Sequence, residues 1–159
     1  MGCKTNTDGQ MITCRRTNSE DKDFQALVKE LDKELGVIDG KDHSFYDQYN
    51  KIDGIKYAVV AYDNGIPVGC GAIKEFSPQE MEVKRMYVPT ERRGRGIATI
   101  VLMELENWAK ELGYRKCVME TGKRQPDAVQ LYTKNGYEVI PNYGPYIGVE
   151  NSVCFEKAL

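Results

Sequence analysis

The sequence predicts one α/β (α+β) domain, with a mixed, mostly antiparallel central sheet of about seven strands flanked by about four helices. The chain has 159 residues, the usual size of a single domain. Its alternating and helix-periodic apolar segments follow one another in the order β-α-α-β-β-β-α-β-α-β-β. Asp63-Asn64-Gly65 adds a strong hairpin signal between two of the strands. We expect the domain to occupy residues 11–159, after a disordered leader over residues 1–10.

The first part of the domain is predicted to be a strand followed by two helices. Met11–Arg16 alternates between apolar and polar side chains, which predicts the strand. Apolar residues at helical spacing then run from Phe24 to Leu35, and Gly36 is expected to end this helix. The aromatic segment Ser44–Tyr49 is predicted to form a short second helix.

Three consecutive strands follow, and we expect them to pair antiparallel. They are Lys56–Tyr62, Ile66–Ile73 and Met81–Val88. The turn between the first two needs positive φ, which Asn and Gly adopt readily. The remaining elements are a helix with an apolar stripe from Ile97 to Leu112, a strand over Lys116–Glu120, a helix that begins at Pro126, and strands over Tyr137–Ile140 and Ser152–Glu156.

The composition excludes several classes of protein. The net charge is −2, from 22 basic and 24 acidic residues, so the chain lacks the basic character typical of nucleic-acid-binding proteins. No apolar run approaches the roughly 18 residues of a membrane span. Five scattered cysteines and a single histidine, His43, do not have the spacing of a zinc site. We therefore expect a cytoplasmic protein with reduced thiols, no metal ion, and neither nucleic acid nor a membrane as partner.

The most informative segment, Arg92–Gly96, is a basic, glycine-rich loop between a strand and a helix. Its glycines allow a ligand to approach the backbone, and the first N–H groups of a helix attract anions. The segment therefore predicts a pyrophosphate site. A nucleoside triphosphate is disfavoured because no Lys-Ser or Lys-Thr follows the glycines. A dinucleotide stays an alternative, with Glu120 as its ribose-binding acid, although Thr99 replaces the third glycine of the Rossmann fingerprint.

Three segments resemble the GNAT family of N-acetyltransferases. Arg93–Ala98, with the sequence RGRGIA, matches the family's [RQ]xxGx[GA] motif. Met81–Val88 is similar to the family's fourth strand, and Leu131–Tyr137 to its LYxxxGF/Y segment. The order of helices and strands agrees as well, so the resemblance extends from Met11 to Leu159.

The resemblance implies that acetyl-CoA is bound as the acetyl donor, without a metal ion. The backbone N–H groups of Arg93, Gly94, Gly96 and Ala98 would hold its pyrophosphate. Its pantetheine arm would pair with backbone groups of Met86 and Val88, and would insert where this strand and the strand over Lys116–Glu120 splay apart. Gln125 stands where family members often have an Asn that contacts CoA. The residues implied in donor binding are Met86, Val88, Arg93, Gly94, Arg95, Gly96, Ile97, Ala98 and Gln125.

The resemblance also implies direct attack of an amine on the thioester in a ternary complex. Two proton carriers are needed, because an alkyl amine is almost fully protonated at neutral pH and the departing thiolate benefits from a donor. Glu82 matches a glutamate that serves as general base in some members; a solvated or ion-paired carboxylate beside Lys84 or Arg85 is the alternative. Tyr132 matches the tyrosine near the CoA sulfur and is implied as general acid, with a half-buried core tyrosine as the alternative. The Met86 N–H is implied in stabilising the oxyanion.

The acceptor is expected to be a primary amine of a small molecule or a peptide, and a homodimer is one candidate assembly. Lys84-Arg85 is expected to be a solvated pair on its strand. The competing interpretations are an acyl-CoA-binding module without turnover, a dinucleotide-binding enzyme, and a basic-loop protein for RNA or an acidic partner. Candidates for lining the acceptor pocket are Tyr46, Tyr49, Tyr143 and Tyr146.

Overall fold

The computed structural model describes residues 2–6, 9–40 and 54–159 of the chain. The predicted helix Ser44–Tyr49 lies outside these residues, together with His43 and with the two pocket candidates Tyr46 and Tyr49.

The described residues form eight strands and three α-helices. The strands are β1 (Gly2–Thr5), β2 (Met11–Thr17), β3 (Tyr57–Asp63), β4 (Ile66–Ser77), β5 (Glu80–Tyr87), β6 (Lys116–Gly122), β7 (Glu138–Ile140) and β8 (Ser152–Ala158). The helices are α1 (Lys22–Asp39), α2 (Ile97–Glu111) and α3 (Pro126–Lys134). They build one sheet in the order β1-β2-β3-β4-β5-β6-β8-β7, antiparallel throughout except between β5 and β6. The predicted mixed, mostly antiparallel sheet is confirmed.

The N-terminal edge of the sheet differs from the expected disordered leader. Residues 2–5 form β1, which pairs antiparallel with β2 from Gly2 opposite Cys14 to Thr5 opposite Met11. The intervening turn is fastened by Asn6: its side-chain oxygen accepts a hydrogen bond of 2.8 Å from the Gln10 N–H. A polar segment without apolar periodicity can join a sheet edge in this way, because the backbone supplies the pairing and no side chain needs burial.

Helix α1 continues past Gly36, which was expected to end it. A glycine inside a helix costs only about 1 kcal/mol relative to alanine, so it weakens a helix without stopping it. The helix ends instead at Gly40, whose φ of 55° is open to glycine and costly for other residues.

The hairpin between β3 and β4 agrees with its sequence signal. Asn64 and Gly65 have φ of 52° and 83°, the positive values of the turn that matches strand twist. The helices then cover the two faces of the sheet. Phe24 of α1 is buried in the core on one face, whereas Val101 of α2 and Tyr132 of α3 are buried in the larger core on the other.

Candidate active site

A gap between the parallel strands β5 and β6 forms the centre of the candidate site. The two strands pair at only three positions, ending with Glu82 opposite Val118, although both strands continue beyond this point. A pocket of about 100 Å³ opens where they diverge. It passes between the two layers of helices, because Leu31 of α1 and Ala128 of α3 both line it.

Four residues that the sequence singles out separately meet in this pocket. Glu82 and Met86 of β5, Gln125 at the start of α3, and Tyr132 within α3 all line it. They come from segments up to 50 residues apart in the chain, and the parallel β5–β6 pairing brings those segments together.

The surroundings of Tyr132 favour the protonated form of its phenol. The side chain is 3% exposed, and its ring lies edge-on to Tyr137 with centroids 5.7 Å apart. Burial raises the pKa of Tyr132 well above its ordinary value. Among the described residues its hydroxyl has no hydrogen-bond partner, although the residue borders the pocket. A protonated donor without a partner can serve a group that enters the pocket.

The carboxylate of Glu82 is held by two neighbours. The hydroxyl of Tyr143 donates a hydrogen bond of 2.7 Å to its Oε2, and the Lys84 Nζ lies 3.5 Å from its Oε1. Burial, followed by the charge of Glu82, raises the pKa of Tyr143, so this phenol stays a donor. Glu82 is therefore an anchored, ion-paired carboxylate at the pocket wall.

A bulge in β5 changes which side chains reach the pocket. Between Cys70 and Ala72 on β4 the partner strand advances by three residues, from Tyr87 to Lys84. Arg85 sits in this bulge with a φ of 58°, in the left-handed region that L-residues seldom adopt.

The expected solvated pair Lys84-Arg85 is therefore wrong. The Lys84 side chain is 9% exposed and that of Arg85 only 1% exposed, and both residues border the pocket. The Arg85 guanidinium pairs with Asp32 on α1. Its Nε is buried and has no hydrogen-bond partner within the described part of the chain.

Glu120 is a pocket residue that sequence reasoning considered only as a ribose ligand of the dinucleotide alternative. It lies on β6 just past the last β5–β6 pair and borders the pocket. Its Oε2 accepts a hydrogen bond of 2.6 Å from the Ser152 hydroxyl on β8. Its place near the end of the strand that follows the glycine loop was the available signal.

The predicted pyrophosphate loop has a shape that fits an anion. Gly94 and Gly96 have φ of 77° and 83°, and a Cβ on Gly94 would project into open space. Helix α2 begins after Gly96 without a side-chain cap. The N–H groups of Gly94, Gly96 and Ala98 have no backbone acceptor among the described residues, whereas the Arg93 N–H donates to the Thr90 carbonyl at 3.3 Å. Three of the four implied N–H donors thus fit a pyrophosphate.

The side chain of Arg93 fastens this loop to the sheet. Its Nε donates to the Val88 carbonyl at 2.8 Å, and its Nη2 binds both carboxylate oxygens of Glu34 on α1, the nearer at 2.8 Å. Its guanidinium also lies over the Tyr87 ring, 5.6 Å from the centroid. Arg95 and Ile97 follow: Arg95 is half-buried between the glycines, and Ile97 is buried in the core under the loop.

The loop between β7 and β8 closes one side of the pocket. The Asn142 side-chain amide donates to the carbonyls of Tyr146, Val149 and Ser152 at 3.0 to 3.2 Å, which fixes the shape of the loop. Tyr146 borders the pocket directly, and Tyr143 acts through its hydrogen bond to Glu82.

Within residues 2–6, 9–40 and 54–159, no group of three His, Cys, Asp or Glu side chains could hold a metal ion. No helix in these ranges has the length and apolar character to cross a membrane.

The chain was compared with known proteins. The model of the Acetyltransferase (GNAT) family matches residues 24–137. The IAA acetyltransferase of Azospirillum brasilense is 33% identical over 135 residues, which cover 84% of this chain and 88% of that relative. The structure of a candidate acyl-CoA N-acyltransferase from Klebsiella pneumoniae has a TM-score of 0.78 at 28% identity, over 93% of this chain and 97% of that one. A GNAT family acetyltransferase from Elizabethkingia anophelis, solved with acetyl-CoA bound, shares the fold with a TM-score of 0.68 at 19% identity, over 93% of this chain and 98% of that one.

Proposed function

This chain belongs to the GNAT family of acetyltransferases, and from that premise we propose that it transfers an acetyl group from acetyl-CoA to a primary amine of a small molecule or peptide. Amine and donor would bind together, and the amine would attack the thioester directly. The proposal includes a cytoplasmic protein that works without a metal ion; a homodimer stays a candidate assembly.

The donor site is supported by the loop and by the gap next to it. The N–H groups of Gly94, Gly96 and Ala98 would hold the pyrophosphate at the start of α2. The β5 backbone at Met86 faces the widening gap, where an extended pantetheine arm can pair like an added strand. The Val88 carbonyl already accepts from Arg93, so we assign Val88 a smaller part in donor binding.

The reaction forms one bond, breaks one bond and moves three protons. The amine nitrogen forms a bond to the acetyl carbonyl carbon, and the bond from that carbon to the CoA sulfur breaks. An ammonium acceptor loses one proton before the attack and a second as the amide forms; we propose that both pass to solvent through Glu82, directly or through water. The departing thiolate takes one proton from the Tyr132 hydroxyl, which solvent then reprotonates, while the Met86 N–H stabilises the oxyanion.

One observation carries this proposal: the phenol of Tyr132, kept protonated by burial, has no hydrogen-bond partner within the described residues and borders the same pocket as Glu82. A core tyrosine would be expected to satisfy its hydroxyl within the protein when buried. A dinucleotide-binding enzyme would not require a proton donor at this position.

Thermal denaturation with saturating acetyl-CoA, CoA, NAD and ATP, each added separately, tests the donor site. A ligand that binds only the folded state stabilises it by about 2.7 kcal/mol at a hundredfold excess over its Kd. We expect a shift with acetyl-CoA and with CoA, and none with NAD. A shift with NAD alone would favour the dinucleotide alternative. Binding of acetyl-CoA without acetylation of any amine would favour the module without turnover.

A further inference from the structure

We infer that the pocket holds an anion subsite built on Arg85, and that the acceptor is a small molecule carrying a carboxylate as well as its amine. This inference rests on the proposed function, because it names the acceptor class of the same site. It starts from the buried guanidinium in the β5 bulge.

Arg85 has more hydrogen-bonding capacity than the described residues use. A guanidinium offers five N–H donors in a planar fork, and it stays charged. Within the described residues, the Arg85 side chain is paired with Asp32, which it contacts through Nη2. The Nε is buried and without a partner, although the side chain is only 1% exposed. A buried donor left in this way is destabilising, so a ligand that satisfies it gains affinity.

The backbone conformation of Arg85 also supports a role in binding an anion. A φ of 58° lies in the left-handed region, which is unfavourable for an L-residue other than glycine. Such strain tends to lie at functional sites, where the rest of the fold maintains it. In a regular strand, Arg85 would point to the opposite face from Lys84, because successive side chains alternate. The bulge instead lets both cations border one pocket.

The other charges in the pocket complement an ammonium group. Glu82 on β5 and Glu120 on β6 both border the pocket, and Glu120 lies two residues beyond Val118, the partner of Glu82. An acceptor with a cationic amine and a carboxylate can therefore place its amine near the carboxylates and its carboxylate on Arg85. Arg binds carboxylates with two parallel hydrogen bonds, which fixes their orientation.

The proposed pairing with Arg85 favours a free amino carboxylate over a peptide. In a peptide, the first residue has an amide in place of its α-carboxylate, so its backbone offers Arg85 no anion. The chemistry therefore points to amino acids and related amino carboxylates.

Matched pairs of free amino acids and their carboxamides test the subsite. Each standard L-amino acid and its amide would be incubated with the protein and acetyl-CoA, and CoA release measured. The amide has the less basic amine, so at one pH more of it is in the reactive neutral form. Preference for a free acid would thus run against intrinsic reactivity. We expect kcat/KM for at least one acid to exceed that of its amide tenfold to a hundredfold, the range of a hydrogen bond to a charged group.

Variants of Arg85 then link the preference to this residue. Arg85→Gln should raise KM for the acid tenfold or more, bring the acid-to-amide ratio close to one and leave acetyl-CoA affinity unchanged. Arg85→Lys keeps the charge and should retain part of the preference. Arg16→Gln is the matched control: Arg16 is also ion-paired, with Glu104 and Glu111, but does not border the pocket, so the ratio should stay at the wild-type value. If Arg85→Gln fails to fold, the wild-type comparison still tests the subsite, because equal kcat/KM for acids and their amides would overturn it.

The outcomes separate this inference from the proposed function. If amines are acetylated but amides react as well as acids, or if Arg85→Gln keeps the ratio, the acetyltransferase function stands and the anion subsite is overturned. If acetyl-CoA neither stabilises the protein nor donates its acetyl group, the proposed function fails and the acceptor class fails with it.

Discussion

The Tyr143 hydroxyl and the Glu82 carboxylate, 61 positions apart in the chain, share a hydrogen bond of 2.7 Å at the wall of the pocket. The bond ties the β7–β8 loop to the carboxylate proposed as the base.

This pair predicts two separable effects on turnover. Glu82→Gln removes the proposed base, so we expect turnover to fall about 10²- to 10⁴-fold. Tyr143→Phe removes only the hydrogen bond that holds this carboxylate in place, so we expect a smaller loss of kcat with acetyl-CoA affinity unchanged. Steady-state kinetics of both variants measure the two effects, and full turnover in Glu82→Gln would assign the base to another group.

Tyr132→Phe should separate donor binding from chemistry. The substitution keeps the ring that packs against Tyr137 and removes only the proton donor. We expect kcat to fall roughly 10- to 10³-fold while acetyl-CoA affinity stays nearly constant. Tyr114→Phe is the matched control, because its hydroxyl binds Glu75 away from the pocket; its kcat should equal that of the wild type. Equal rates in both variants would remove Tyr132 from the reaction.

The raised pKa of Tyr132 gives this prediction a pH component. The phenol is the acid form, and a raised pKa keeps it protonated past the ordinary value near 10. The wild-type rate should therefore show no decline assignable to Tyr132 up to pH 10. A basic limb near neutral pH that disappears in Tyr132→Phe would contradict the assignment.

Gly96→Val should abolish donor binding. The side chain would enter the anion loop, and a φ of 83° is costly for a β-branched residue. Gly113→Val is a matched control for the backbone strain, since Gly113 has a φ of 95° just beyond the other end of α2 and an added Cβ there meets no atom within 4 Å. We expect both variants to melt at lower temperature, and only Gly96→Val to lose the stabilisation by acetyl-CoA.

The thiols should be inert in the native protein. Cys14, Cys70, Cys117 and Cys154 are buried, and burial raises the pKa of Cys70 and of Cys117 to about 12. At pH 8 about one such thiol in 10⁴ is ionised. Ellman's reagent should thus titrate at most one of the five cysteines before denaturation and all five after it. Rapid reaction of two or more native thiols would contradict the described packing.

The sequence predicted best those features that depend on short-range patterns. The Asn64-Gly65 turn, the glycine loop before α2 and the antiparallel pairing of β3, β4 and β5 follow from local backbone preferences and apolar periodicity. The site was predicted less completely because it depends on pairing between strands. The bulge occurs at Arg85, a residue with no preference for positive φ, and Lys84-Arg85 was therefore expected to be a solvated pair. The Tyr143–Glu82 bond and the place of Glu120 depend on where β5 and β6 part, which is a property of the whole sheet.

From the divergence of β5 and β6 we expect an effect of CoA on aggregation of the protein during storage. Where the two strands diverge, each presents a sheet edge to the gap, and such edges are templates for strands from other molecules. A pantetheine arm that pairs with β5 would cover one of these edges. Protein kept with CoA should accordingly aggregate more slowly than protein kept without it, and light scattering during incubation at a fixed temperature would measure the difference. Bound CoA would then also reduce self-association of the protein.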